Sequence, residues 1–286
     1  MKNLFWEFCS IFVLGRERRK AFRRKHIRSP FQKLEHNIAR KVELTVRRAL
    51  STMALHQRAF PPFKNKAAGR DVVVVAGGPS AAKFRPIPGA IYIGVNRAYK
   101  FSGISFDYLF CQDYEAVRGS DALDAIRDYR RGQCVKFIGL VGDDAWNNGY
   151  VFPESYVIEM DALRYRVVQG TLDDFAYDIS VQPLADCGSV VFSALQFALW
   201  MNPRRLYLVG CDCSHGGYFY KNGNVSASGA NTLDLDRVMQ GYVWFKQFAQ
   251  RYYPKTEIIS VNPVGLKGLF IDQDQETAQG LEEKGD

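Results

Sequence analysis

The chain has 286 residues, of which 47% are hydrophobic and 24% are charged. This composition is ordinary for a folded protein with a sizeable core, and it excludes a chain that is disordered throughout. The net charge of +8 is unevenly distributed: residues 1–70 carry 18 Lys and Arg against 4 Asp and Glu, and the remainder carries 20 against 26. A basic segment joined to an acidic body predicts an anionic surface as the partner of the basic segment.

The N-terminal segment starts with an apolar, aromatic run, Leu4–Leu14, which Glu7 interrupts. The run is about half as long as a membrane-spanning helix. Basic clusters follow it at Arg16–Lys20 and Arg23–Lys25, the reverse of the order in a secretory signal. The aromatic residues do not interleave with the basic ones, which disfavours nucleic acid as a partner. We therefore predict that residues 1–58 form a basic, amphipathic helical arm on the anionic inner face of the cell membrane, the alternative being a helix that packs on the body or on another subunit.

A pair of prolines, Pro61 and Pro62, interrupts the helical pattern of this arm. We expect a linker over residues 59–70, an α/β domain over 71–272 and a polar tail over 273–286. The six cysteines have no regular framework spacing, so a reducing cytoplasm is expected. The pair Cys211 and Cys213 lacks the second pair of ligands that a zinc site needs, and no metal is predicted there.

Short apolar runs that end near Gly, Asn or Asp predict strands. These runs are Val72–Ala76, Ile91–Val95, Tyr108–Cys111, Val135–Val141, Leu206–Val209 and Glu257–Val261. Helices are predicted between several of them, over Ser120–Arg130, Ser189–Met201 and Leu233–Tyr252. The alternation predicts an α/β fold, a Rossmann-like parallel sheet with helices on both faces, in which ligands bind at the carboxyl ends of the strands.

The first predicted strand runs into Gly77, Gly78, Pro79 and Ser80, a turn typical of anion binding. The glycines are expected to take positive φ and let a ligand approach the backbone, and Ser80 is expected to cap a following helix. N–H groups at such a helix start attract phosphate or carboxylate. A plain strand-to-helix turn is the alternative. The dinucleotide fingerprint and the Walker lysine are both absent from the sequence, which disfavours NAD and P-loop nucleotide hydrolysis.

Polar residues follow several other predicted strands. They are Asn96 after the second, Gln112 and Asp113 after the third, and Gly210 and Asp212 after the fifth. Together with Cys187–Val191 and Asn262–Phe270, the order of these motifs over roughly residues 71–272 resembles the bacterial sialyltransferases of glycosyltransferase family 42 and a related group that includes Kdo transferases.

The resemblance implies a CMP-sugar donor, no cofactor, and a set of substrate-binding residues. Gly77 to Ser80 would face the phosphate and ribose, and Asn96 and Gln112 would hydrogen-bond the donor. Ser189 and Gly210 would line the cytidine pocket, with Asp212 at the same strand end. The family helps the phosphate to leave with tyrosine hydroxyls; Tyr220 lies where one is expected, and Ser214 where the other would be.

The general base cannot be carried over, because the family's histidine would fall near Asn231, where this chain has none. Chemistry and position leave two candidates. His215 is the only histidine after His56 and follows a strand end, and Asp113 is a carboxylate in a comparable place. An exposed loop histidine and a helix-capping aspartate are the alternatives.

Two Asp-x-Asp pairs, at Asp234 and Asp236 and at Asp272 and Asp274, have the spacing of metal-binding pairs in nucleotide-sugar transferases. The first starts a predicted helix, where acids complement the dipole, and the second enters a polar stretch, so no metal is predicted. Stabilisation of the leaving group would then fall to Tyr218, Tyr220, Ser80 and Arg97.

The sequence thus predicts a membrane-attached glycosyltransferase that transfers an acidic sugar, of sialic acid or Kdo type, to a bacterial surface glycan such as lipopolysaccharide or capsule, with a glycan or lipid-linked acceptor. One alternative is a Mg²⁺-dependent, pyrophosphokinase-like phosphotransferase, since those proteins share the Gly-Pro-Ser turn. The other is a non-catalytic, membrane-tethered nucleotide-binding module.

Overall fold

The computed structural model describes residues 30–112, 122–140, 154–214, 217–219 and 234–275. The chain forms two compact units, and the boundary between them lies between Met53 and Ala54. The strands are β1 (Asp71–Val75), β2 (Ile91–Val95), β3 (Tyr108–Cys111), β4 (Val135–Leu140), β5 (Leu163–Gln169), β6 (Leu184–Asp186), β7 (Arg205–Val209), β8 (Glu257–Val261) and β9 (Ile271–Gln273). The α-helices are α1 (Pro30–Ala59), α2 (Ala122–Asp128), α3 (Glu154–Glu159), α4 (Val191–Trp200) and α5 (Leu235–Tyr252).

The strands of the described residues form one sheet in the order β6-β5-β4-β3-β2-β1-β7-β8-β9. Every neighbouring pair is parallel. The chain builds outward from β1 in one direction and then, from β7, in the other. The junction of β1 and β7 is therefore a topological switch point, and sheets of this kind bind ligands there, at the carboxyl ends of the strands.

Helices cover both faces of this sheet, as the sequence predicts. All ten residues of α4 are buried on one face; eight of them are apolar, and the two polar ones, Ser193 and Gln196, are hydrogen-bonded. On the other face, α2 contributes Ile126 to the core and α3 contributes Val157. The α/β class with a Rossmann-like parallel sheet is thus confirmed.

The chain between α1 and β1 packs into the core. Pro61–Phe63 forms a single 3₁₀ turn, as expected where prolines end a helix. Ala59, Phe60 and Ala67 are fully buried, and the Phe60 ring stacks on Phe137 with centroids 5.6 Å apart. The stretch that the sequence suggests as a linker, residues 59–70, therefore supplies apolar side chains to the core.

A buried histidine fixes the end of α1. The His56 Nδ1–H donates to the carbonyl oxygen of Ile179 at 2.7 Å, and Nε2 accepts the N–H of Arg166 at 2.8 Å. Burial lowers the pKa of His56 to about 4. The ring is therefore neutral at physiological pH, and each of its nitrogen atoms has a main-chain partner.

Strands β5, β6 and β9 are not among those that the sequence predicts. The charged Arg164 and Arg166 break up the apolar pattern of β5, and β6 and β9 are only three residues long. The exposed strand β9 crosses the boundary at residue 272 that the sequence suggests between the domain and the tail. Residues 1–29 of the arm and 276–286 of the tail lie outside the described residues. No helix in the described part of the chain is long and apolar enough to cross a membrane.

Candidate functional site

The loops that follow β1 and β7 lie side by side at the switch point. The Ala76 N–H donates to the Val209 oxygen at 2.8 Å, and the Gly78 N–H donates to the Gly210 oxygen at 2.8 Å. The ladder between the two strands thus continues past their ends, and it holds both loops at the edge of the sheet where ligands of parallel sheets bind.

Glycine is required at both positions by this close approach. A Cβ on Gly78 would lie 2.5 Å from the Gly210 oxygen and 2.6 Å from Cγ of Asp212, and a Cβ on Gly210 would lie 2.7 Å from the Ala76 oxygen. Positive φ was expected at Gly77 and Gly78, and it is wrong for Gly78, which has φ of −64°. The positive φ in these two loops belongs to Gly210, at +65°. Gly78 is a glycine because the neighbouring loop leaves no room for a side chain.

Ser80 binds Asp212 instead of capping a helix. Its N–H donates to Oδ2 of Asp212 at 2.8 Å, and its hydroxyl donates to Oδ1. The turn continues as a five-residue 3₁₀ segment, Pro79–Lys83, without a side-chain cap. The predicted capping role of Ser80 is therefore wrong, because Pro86 and Pro88 follow so closely that the chain cannot continue as an α-helix.

These contacts change the chemistry of the turn. The N–H groups of Gly78 and Ser80 already have acceptors within the protein, so they do not form the phosphate cradle that the sequence predicts. Asp212 is a carboxylate that is 5% exposed, and each of its oxygens takes one hydrogen bond from Ser80. The remaining lone pairs suit hydroxyl donors, such as those of a ribose.

Two asparagines flank the switch point. Asn96 follows β2 with φ of 48°, and Asn262 follows β8 with φ of 47°. The Oδ1 of Asn96 and the Nδ2 of Asn262 are buried and have no hydrogen-bond partner among the described residues. A buried, unpaired amide atom is costly, so each is a candidate contact for a ligand or a water molecule.

Asn262 was not singled out as a site residue from the sequence, although its place directly after a strand was a usable signal. Its Oδ1 accepts the Gln275 N–H at 2.7 Å, which orients the amide. Three residues further on, the Gly265 N–H donates to the main-chain oxygen of Asp212 at 2.8 Å. The loop after β8 is thereby attached to the loop after β7.

Gln112, at the end of β3, is 5% exposed and hydrogen-bonded within the protein. Its Nε2 donates to Oδ2 of Asp186 at 2.5 Å, and its Oε1 accepts the hydroxyl of Ser193 at 3.3 Å. Asp186 was missed by sequence reasoning because it ends a three-residue strand, β6, that was not predicted.

Ser189 lies two residues before α4, half-buried, and its Oγ accepts the Val191 N–H at 3.4 Å. Next to it is Gly188, an exposed residue with φ of 90°. Arg237, from the first turn of α5, donates through Nη2 to the main-chain oxygen of Asp186 at 3.1 Å. A cation and a hydroxyl therefore lie near this turn.

The described segment 217–219 lies against the turn after β1. The Phe219 N–H donates to the Gly77 oxygen at 2.9 Å, and the Phe219 ring packs on Phe101 with centroids 5.8 Å apart. This contact puts Tyr218, which is 40% exposed, beside the glycine turn. The predicted catalytic residues Asp113, His215 and Tyr220 lie outside the described residues.

Two cysteines and two Asp-x-Asp pairs were considered for metal binding. Burial raises the pKa of both Cys211 and Cys213 to about 12, so both are neutral thiols at physiological pH. Asp234 caps α5 by accepting the Arg237 N–H at 3.1 Å, and Asp272 accepts the Gly268 N–H at 2.9 Å. In the described ranges, no three His, Cys, Asp or Glu side chains come together as a metal site.

No protein-family model matches the chain, and no curated protein matches it. Among solved structures, the chain is similar to the sialyltransferase CstII from Campylobacter jejuni in complex with the substrate analogue CMP-3FNeuAc, at 13% identity and a TM-score of 0.38, over 67% of this chain and 80% of that chain. The chain is also similar to a structure of the sialyltransferase Cst-II in complex with CMP, at 13% identity and a TM-score of 0.37, over 66% of this chain and 80% of that chain.

The chain is also similar to the MAf glycosyltransferase from Magnetospirillum magneticum AMB-1, at 15% identity and a TM-score of 0.41, over 88% of this chain and 43% of that chain. Sialyltransferases of the kind that the sequence motifs resemble are thus among these neighbours. At such values the likeness carries no assignment of substrate or mechanism.

Proposed function

We propose that this protein is a glycosyltransferase that transfers an acidic sugar, of sialic acid or Kdo type, from a CMP-activated donor to a bacterial surface glycan. The observation that carries the proposal is the pairing of Ser80 with Asp212 across the switch point. It joins a glycine-lined strand end to a buried carboxylate at the edge where parallel sheets bind nucleotides.

In this proposal the ribose hydroxyls donate to the remaining lone pairs of Asp212, and the sugar ring of the donor lies along the turn at Gly77 and Gly78. Asn96 supplies an amide from the neighbouring strand end. A hydroxyl-rich ligand suits this set of acceptors better than a bare phosphate does, because the N–H groups of the turn are already bonded.

Charge on the departing CMP phosphate is stabilised by residues beside the turn. Arg97 directly follows Asn96, and Tyr218 directly precedes Phe219, whose N–H donates to the Gly77 oxygen. A guanidinium and phenol hydroxyls can offset developing negative charge without a metal ion. In this proposal the Tyr220 hydroxyl is the second phenol that stabilises the departing phosphate.

An acceptor hydroxyl must lose its proton as it attacks the anomeric carbon. His215 or Asp113 takes that proton, since both follow strand ends that meet at this edge of the sheet. A new bond forms between the acceptor oxygen and the anomeric carbon while the bond to the CMP phosphate oxygen breaks, and CMP leaves as the anion.

The arm holds the enzyme on the inner face of the cell membrane, near lipid-linked acceptors. Its sequence combines Leu4–Leu14 with the basic clusters that follow, and α1 continues with exposed apolar side chains at near-helical spacing. These are Ile38, Val42, Val46, Leu50 and Met53. Each Lys or Arg near an anionic surface adds roughly 1 kcal/mol of attraction.

The decisive experiment compares CMP, UDP and GDP by thermal shift and then measures turnover with CMP-activated acidic sugars, with and without EDTA. A ligand at a hundredfold excess over its Kd stabilises by about 2.7 kcal/mol, so only the cognate nucleotide raises Tm by several degrees. We expect CMP to do so and turnover to survive EDTA. Phosphoryl transfer from ATP that needs Mg²⁺ would favour the phosphotransferase, and CMP binding without turnover would favour the binding module.

Membrane attachment is tested by deleting residues 1–25. We expect partitioning onto anionic vesicles to fall at least tenfold, while binding of the full chain weakens with salt because surface charges are screened. Turnover on a soluble acceptor and partitioning onto zwitterionic vesicles serve as controls. Undiminished co-sedimentation of the truncated protein at low salt would refute the anchor.

A further inference from the structure

We infer that Asp186 is the positioning residue of the donor site, holding the ends of three elements in place. The inference rests on the proposed function for the identity of the ligand. It comes from the contacts of Asp186 at the end of β6. Its carboxylate accepts hydrogen bonds from the end of β3 and from the turn before α4, and its main-chain oxygen accepts one from the start of α5.

Each oxygen of the Asp186 carboxylate accepts a hydrogen bond. Oδ2 accepts Nε2 of Gln112 at 2.5 Å, and Oδ1 accepts the N–H of Gly188 at 2.7 Å. The first bond fixes a side chain at the end of β3. The second fixes the turn that leads to Ser189, so the two groups cannot shift independently.

Two strands, β4 and β5, separate β3 from β6 in the sheet, and the Gln112 side chain extends over β4 towards Asp186. A Cβ on Gly139 of β4 would lie 3.0 Å from Cγ of Gln112 and 2.9 Å from the Tyr165 hydroxyl, so only glycine leaves a path. Ser193 of α4 donates to Oε1 of Gln112, which sets the orientation of the amide. Gln112 is therefore held rigidly, and Asp186 is the acceptor that its NH₂ group meets.

The main chain of Asp186 adds the third element. Its oxygen accepts Nη2 of Arg237 at 3.1 Å and the N–H of Gly170 at 2.7 Å. Arg237 lies in the first turn of α5, and its side chain passes over Gly188, where a Cβ would lie 3.8 Å from Cδ. The start of α5 and the turn before α4 are thus attached to the same residue.

A residue of this kind acts on binding through Gln112 and Ser189 without touching the reacting atoms. Its loss therefore weakens nucleotide affinity and raises the donor KM, while kcat changes little. Asp186→Asn keeps the shape: its oxygen can accept the Gly188 N–H, and its NH₂ can donate to a flipped Gln112 amide. Asp186→Ala removes both bonds.

Asp107 offers a matched control. It precedes β3, at the opposite edge of the sheet, and its Oδ2 accepts the Tyr92 N–H at 2.8 Å. Asp107→Ala therefore removes a comparable bond between a carboxylate and a main-chain N–H far from the strand ends where the site lies. A merely structural role for Asp186 would make the two alanine variants behave alike.

The experiment measures CMP affinity by calorimetry in the full chain, together with hydrogen exchange of the amides of residues 187–192. We expect Asp186→Ala to weaken CMP binding at least tenfold, Asp186→Asn to stay within threefold of the wild type, and Asp107→Ala to stay within twofold. The double variant Asp186→Ala, Gln112→Ala should bind CMP no more weakly than the weaker-binding of the two single variants, because both substitutions break the same hydrogen bond.

The outcomes separate the two proposals. If the wild type binds CMP and Asp186→Ala binds it equally well, the positioning role is wrong and the proposed function stands. If the wild type binds no nucleotide, the proposed function fails. Hydrogen exchange then decides the positioning role on its own: faster exchange at 187–192 in Asp186→Ala but not in Asp107→Ala supports it, and unchanged exchange overturns it.

Discussion

Asp212 receives both the N–H and the hydroxyl of Ser80, and so joins the loop after β7 to the loop after β1. The carboxylate is nearly buried, and the glycines at 78 and 210 bring the two backbones into direct contact around it. Because buried carboxylates are stable only with such partners, the pair and the glycines form one unit. Substitutions at any of these positions are expected to disturb ligand binding at the site more than the stability of the rest of the sheet.

Gly78→Ala is expected to lower the free energy of unfolding by roughly 1–3 kcal/mol and to abolish CMP binding, because the added methyl group overlaps the Gly210 oxygen and the Asp212 carboxylate. Chemical denaturation and calorimetry measure the two effects. Gly89→Ala is the control, since Gly89 has φ of +72° and open space around it. That variant should lose roughly 1–2 kcal/mol through backbone strain alone and bind CMP normally. Normal CMP binding by Gly78→Ala would contradict the geometry of the turn.

Asn96→Ala is expected to weaken CMP binding about fivefold, as the loss of one hydrogen bond of roughly 1 kcal/mol implies. Asn202→Ala is the matched control, because Asn202 shares the left-handed backbone, with φ of 57°, but lies before β7 at the other edge of the sheet. Ser189→Ala should resemble Asn96→Ala, with folding preserved. Unchanged affinity in both site variants, measured by calorimetry, would remove the proposed pocket.

Loss of the general base is expected to lower kcat by 10²- to 10⁴-fold with CMP affinity preserved. We predict this effect for His215→Ala or for Asp113→Asn, but not equally for both. A turnover rate that rises with pH through about 6.5 would identify His215, and a rise at lower pH would identify Asp113. Near-normal turnover of both variants with a verified donor would mean that another residue activates the acceptor.

Because of His56, the free energy of unfolding is expected to fall as the pH is lowered. Its pKa in the folded chain, about 4, lies below the ordinary value of 6.5, so between these values the unfolded chain binds a proton that the folded chain does not. Its contribution is complete above pH 6.5 and is lost as the pH falls towards 4, by up to about 3 kcal/mol. Urea unfolding of the wild type and of His56→Gln at pH 7 and pH 4.5 tests this. The gap between the two proteins should narrow at the lower pH, and a constant gap would exclude a neutral, buried imidazole.

Most of the sheet could be read from the sequence because its strands are continuous apolar runs that end at Gly, Asn or Asp. Runs such as Ile91–Val95 and Tyr108–Cys111 are buried along their whole length, and burial on both faces leaves a local signature that needs no knowledge of neighbours. The helices α4 and α5 were readable from a different local signal, the three- and four-residue spacing of their apolar residues.

The bonds that organise the site have no such local signature. Ser80 and Asp212 are 132 residues apart, and Gln112 and Asp186 are 74 apart. Each pair meets only because the sheet places β7 beside β1 and leaves Gly139 of β4 open beneath Gln112. The sequence by itself determined which residues stand at the carboxyl ends of the strands that it predicts, such as Gln112 and Asp212, but not Asp186 at the end of β6. The order of the strands decided which of those residues bond to one another, because hydrogen bonding depends on distances that only the packed chain sets.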